Sequence, residues 1–127
     1  TVAYEQFAPY GSSLDDGSLR TIFETGRLVE MLRSDAQRSP GLWGVRFVGI
    51  RRQQVKRYLV GRSACGDTEV RGSLIERFGP TKELAVGTKK APGPLYGISK
   101  HHWAALAVAV TAADAIQLEE AKRLSWT

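Results

Sequence analysis

Trp43-Gly44-Val45-Arg46-Phe47-Val48-Gly49-Ile50 is the stretch on which the fold turns. Its second half alternates with the period of two that a strand requires, so the whole stretch reads as a strand. Ser39-Pro40-Gly41 separates it from what precedes. On the amino-terminal side of that break, apolar residues recur at Leu19, Ile22, Phe23, Leu28, Met31 and Leu32, close to helical spacing. Ser12 to Asp16 is turn chemistry, with Asp15 or Asp16 able to cap the helix. Residues 1–7 read as another strand. Strand, helix and strand in succession predict a right-handed parallel crossover and an α/β fold. The helix is expected to lie on the surface with one buried face. Gly26, which costs roughly 1 kcal/mol against Ala in such a helix, is expected to mark close packing on a sheet.

Carboxy-terminal to the deciding stretch, Arg51 to Leu59 reads as a short helix ended by Gly61. Asp67 or Thr68 can cap a further helix, with Val70, Leu74, Ile75 and Phe78 on its inner face, before Gly79-Pro80 stops it. Pro80 to Ser99 is rich in Gly, Pro and Lys without a clear period, which predicts a mobile loop. The last helix is predicted from about His101 to Leu124, apolar all round in its first half and therefore buried there. Trp43 and Trp103 are expected in the core.

The chain has 127 residues, enough for one domain with a single apolar core. Its net charge of +5 and isoelectric point near 9.7 suit an acidic partner such as nucleic acid, or serve solubility alone. A single cysteine, Cys65, excludes an internal disulfide framework and a cysteine-based zinc site, and points to a reducing compartment. The longest apolar run, near 103–110, is too short to span a membrane.

The chemistry-bearing residues are few. Glu5 stands where the first strand runs out, and a carboxylate at the end of a central strand is a common way to hold a divalent metal against a phosphate; the alternative is a solvated strand-end charge. His101 opens the apolar last helix, which could carry its imidazole to the same site or simply begin there. Asp114 lies roughly 20 Å further along that helix and cannot complete the site. Between Arg51 and Arg62 there are five basic residues, Arg51, Arg52, Lys56, Arg57 and Arg62, and no acid. Phosphate contacts from such a run would give salt-sensitive binding. Lys89, Lys90 and Lys100 flank the Gly/Pro-rich segment and could close over a nucleic-acid backbone. Cys65 reads as a small packing residue. No phosphate-binding glycine loop is present.

The order of these pieces resembles the RuvC-like Holliday-junction resolvases of the RNase H-like superfamily, their phage-type branch in particular. Four stretches carry the resemblance: Val2-Ala3-Tyr4-Glu5-Gln6 with the helix around Phe23-Glu24-Thr25-Gly26-Arg27; Val48 through Gly61; Ser63-Ala64 with Val70; and Ala104-Ala105-Leu106-Ala107-Val108-Ala109-Val110. The resemblance implies a mixed sheet flanked by helices in a single domain over 1–127, corresponding to the C-terminal two-thirds of the fold and so N-terminally truncated. It implies hydrolysis of branched DNA with Mg²⁺ or Mn²⁺, a homodimer, no membrane, and a place in the cytoplasm of a bacterial or phage-infected cell. Glu5 and His101 would then be metal ligands and catalytic residues. Phe7 and Tyr10 fall where relatives place an aromatic near the junction crossover, and would stack on an unpaired base.

Three positions depart from the pattern. The strand that bears the family's first Asp has no counterpart before the Glu5 strand. The usual C-terminal Asp falls at Ala104, and the Lys that often follows the Ser-Ala turn is replaced by Gly66-Asp67-Thr68. A catalytically silent nucleic-acid-binding module is therefore the alternative, and an interaction protein with incidental charge a third.

Overall fold

The computed structural model describes residues 1–6 and 15–125, with the side chains of residues 121 and 123–125 outside the description. The chain divides into two compact units, Thr1–Arg52 and Gln53–Thr127.

The first unit is the predicted strand, helix and strand. Strand β1 (Val2–Gln6) pairs in parallel with β2 (Phe47–Arg51), Val2 opposite Phe47 and Glu5 opposite Ile50. Two parallel strands need a long crossover. Within that crossover, helix α1 (Asp16–Arg38) begins at Asp15, whose carboxylate accepts the Ser18 N–H at 2.6 Å. That bond to the backbone holds the Asp15 carboxyl below its ordinary range. Gly49 faces Tyr4 across the sheet, and a Cβ there would stand 3.0 Å from the Tyr4 hydroxyl, so glycine leaves room for that ring.

Four expectations fail in this unit. The strand begins at Phe47 rather than Trp43, because a 3₁₀ turn over Pro40–Leu42 and Gly44, with φ +83°, occupy the preceding residues. Helix α1 buries only Ala36, while Leu19, Ile22, Phe23, Leu28, Met31 and Leu32 are all exposed, Phe23 by 63%. Gly26 has nothing within 4 Å of a built Cβ, so no close approach explains it. Trp43 is no core residue either, being 69% exposed.

The second unit holds most of the core. Helix α2 (Arg52–Leu59) opens at the boundary between the units and buries Val55; it ends through Gly61, whose φ of +92° suits glycine. Helix α3 (Asp67–Phe78) is capped from within: the Glu69 carboxylate accepts the Gly66 N–H at 2.9 Å, so Gly66 rather than Asp67 or Thr68 is the capping position. Leu74, at 0% exposure, is the largest fully enclosed side chain, whereas Phe78 is exposed. Helix α5 (Lys100–Ser125) buries Trp103, Ala107, Val108, Val110, Thr111 and Ala112, as its apolar first half predicts. The Thr111 hydroxyl, buried there, donates to the Ala107 carbonyl at 2.8 Å.

The segment before α5 is far from featureless. A short helix α4 (Lys82–Ala85) is capped by the Thr81 hydroxyl, and Gly87 bridges to Pro92 antiparallel. Thr88 and Ala91 exchange backbone hydrogen bonds of 3.1 Å in both directions, which makes Lys89-Lys90 the two-residue tip of a miniature hairpin. Leu95 is buried and its N–H reaches the Ala85 carbonyl at 2.8 Å. A Cβ on Gly93 would lie 2.4 Å from that same carbonyl oxygen. Glycine thus lets two backbones touch, a use that periodicity does not reveal.

Candidate nucleic-acid interface

Glu5 is the fourth residue of a five-residue strand, near its carboxyl end, and is exposed beside the buried Ile50. In parallel sheets that end is where ligand sites form, since the loops that leave it are free to vary. His101 is exposed in the first turn of α5 in the second unit. Among the described residues no three His, Cys, Asp or Glu side chains gather as metal ligands would. Glu5 and His101 alone do not make up a two-metal centre, which needs several bridging and flanking carboxylates. Phe7 and Tyr10 lie outside the described residues.

Arg62 forms an ion pair with Glu69, so its charge is largely answered across the α2–α3 connection. The Gly66 N–H first, and then the Arg62 guanidinium, hold the Glu69 carboxyl below its ordinary range, with a smaller contribution from Lys56. The run from Arg51 to Arg62 contains no acid in sequence, but the fold returns one to it. Arg51, Arg52 and Arg57 are exposed and Lys56 is half-buried. Lys89 and Lys90 occupy the hairpin tip, both exposed. Lys100 is exposed at the start of α5 with φ +32°, the one non-glycine positive φ among the described residues, and stands next to His101. A cation in the first turn opposes the helix dipole, so helix stability does not account for Lys100 there.

Arg71 lies over the Trp103 ring, 4.6 Å from its centroid, which ties α3 to α5 by a cation–π contact. Cys65 is half-buried with its thiol 3.4 Å from the Arg62 carbonyl, in keeping with a packing role.

Sequence reasoning missed a three-helix clamp. Asp114 on α5 receives two hydrogen bonds of 2.6 Å from the Arg77 guanidinium on α3, and a short one from the Tyr58 hydroxyl on α2. Arg77 first and Tyr58 second hold the Asp114 carboxyl below its ordinary range, while bonding to Asp114 pushes the Tyr58 phenol up. These residues are 37 and 56 positions from Asp114, so no local pattern joins them. Being mutually satisfied, the three hold helices together rather than offering a reactive group.

In comparisons with known proteins, no family model, curated protein or solved structure matches the chain. No helix among the described residues is long and apolar enough to cross a membrane.

Proposed function

We propose that the chain forms part of a RuvC-like, structure-selective endonuclease of branched DNA, acting with Mg²⁺ or Mn²⁺ as a homodimer in a bacterial or phage-infected cytoplasm. The observation that carries this reading is the parallel pairing of β1 with β2 through a helical crossover, which sets Glu5 near the carboxyl end of the sheet. The exposed cations of α2, the Lys89-Lys90 hairpin tip and the Lys100-His101 helix start support a surface that meets phosphates. Because the described residues do not assemble a full metal centre, binding is the part of the work these side chains account for; the metal-ligand roles of Glu5 and of His101 rest on the resemblance.

Ala104, where the resemblance has an Asp, favours the second reading, a nucleic-acid-binding module without cleavage. Incubating a four-way junction and a linear duplex with the protein in Mn²⁺ and in Mg²⁺ separates the two. Junction nicks that vanish in Glu5→Gln while binding persists are expected of the nuclease. Binding with no nicks in either metal would leave the silent module.

A further inference from the structure

The carboxyl end of α1, the 3₁₀ turn and the start of β2 enclose a depression of about 340 Å³ in the first unit, lined by Arg33, Gln37, Leu42, Trp43 and Phe47 among others. Trp43, the largest side chain on its wall, is 69% exposed. The indole is nevertheless fixed: its N–H donates to the Gln37 carbonyl at 2.7 Å, so the edge is satisfied while the ring remains presented to solvent. The Arg33 guanidinium lies 5.5 Å from the Phe47 ring centroid and makes a loose, solvent-exposed pair with the Glu30 carboxylate at 3.7 Å. None of the lining residues is acidic.

We infer that this depression binds a single unstacked nucleobase together with its phosphate. A fixed indole offers a π-face to a planar ring, the Arg33 guanidinium offers paired donors to a phosphate, and the Gln37 amide can both donate to and accept from a base edge. The volume is at the small end of ligand pockets, roughly 300–1,000 Å³, which suits one nucleotide and is too small for a folded partner. Arg33 pairs with Glu30 only at 3.7 Å and in solvent, a weak pair that a phosphate can compete with, and no acid stands in the lining itself, which favours an anionic ligand over an apolar one. The site needs neither Glu5 nor His101, and shares with the reading above only the premise that nucleic acid is the partner.

The test is binding of a fluorescein-labelled five-nucleotide oligothymidylate to the full chain, read by fluorescence anisotropy with quenching of the tryptophan emission as a second signal for the wild type, and with four-way-junction binding measured alongside. Wild-type protein should be quenched on binding. Trp43→Ala should bind the oligonucleotide about ten- to a hundredfold more weakly, the range expected for loss of one base-stacking partner. Trp43→Phe, which keeps an aromatic face, should fall between, and both should keep the wild-type circular dichroism spectrum. Arg33→Gln should weaken the oligonucleotide but leave binding of free thymine, which lacks the phosphate, unchanged. Oligonucleotide binding equal in wild type and Trp43→Ala would overturn the inference, as would equal quenching of free N-acetyltryptophanamide by the same oligonucleotide. Junction binding without oligonucleotide binding would sink this inference alone. Oligonucleotide binding without junction binding would uphold it and remove the branched-DNA reading.

Discussion

Replacing Asp114 by Ala tests the packing of the second unit at its most connected polar point. The substitution removes two 2.6 Å bonds from Arg77 and the bond from Tyr58, and leaves three helices without their common acceptor. Hydrogen bonds to a charged group contribute about 1.5–3 kcal/mol where solvent is excluded. The Asp114 side chain is only 14% exposed, but that of Arg77 is 44% exposed, which draws the pair toward the roughly 0–1 kcal/mol of surface ion pairs. A combined loss of about 2 kcal/mol follows, and for a chain of this size that lowers the melting temperature by about 8 °C. Tyr58→Phe removes one bond and should cost about 1 kcal/mol. Thermal denaturation followed by circular dichroism measures both. The folded Asp114 carboxyl is below its unfolded value of about 3.9, so its contribution is present above that pH and lost as pH falls through the lower folded value. Tyr58, raised above about 10, contributes below that pH and loses its contribution as pH rises past its folded value. The gap between wild type and Asp114→Ala should therefore be flat from about pH 5 to 9 and close below pH 4. An Asp114→Ala protein that melts within about 1 °C of wild type at pH 7 would mean that Asp114 does not tie the three helices together.

Three further substitutions follow from the geometry. Gly26→Ala meets open space on an exposed helix face and should raise stability by up to about 1 kcal/mol in chemical denaturation; a loss would mean that the face is covered. Gly93→Ala forces a Cβ to within 2.4 Å of the Ala85 carbonyl and should cost roughly 1–3 kcal/mol in the same assay, whereas a neutral result would mean that the segment before α5 is as loose as its composition implies. Glu69→Gln keeps an acceptor for Gly66 but frees the Arg62 charge, so filter binding to duplex DNA should tighten and its log–log salt slope should steepen by about one phosphate contact. An unchanged slope would place Arg62 away from the nucleic acid.

The elements were legible wherever period or punctuation defines them. Asp15 caps α1, Gly61 ends α2, and the apolar start of α5 is buried, because each depends on neighbours close in sequence. Burial on α1 was not legible, since helical spacing of Phe23 and Met31 states that a face exists and not that something covers it. The strand start at Phe47 was misplaced for a related reason: Trp43 has strand propensity, but the Gly44 turn overrides it. On the candidate interface, composition located the cations but missed that Glu69 answers Arg62 through space. The Asp114 clamp and the Trp43 depression depend on contacts that only the folded chain makes. The metal-ligand roles expected of Glu5 and His101 remain proposals, resting on their positions at a strand end and a helix start.

The most direct test of branched-DNA recognition is the affinity of the protein for a four-way junction against a linear duplex of the same sequence, titrated from low to physiological salt. Tighter binding to the junction, a steep inverse dependence on salt, and a shallower slope in the Lys89→Ala/Lys90→Ala double variant are expected. Equal affinity for both DNAs, or no binding even at low salt, would contradict branched-DNA recognition.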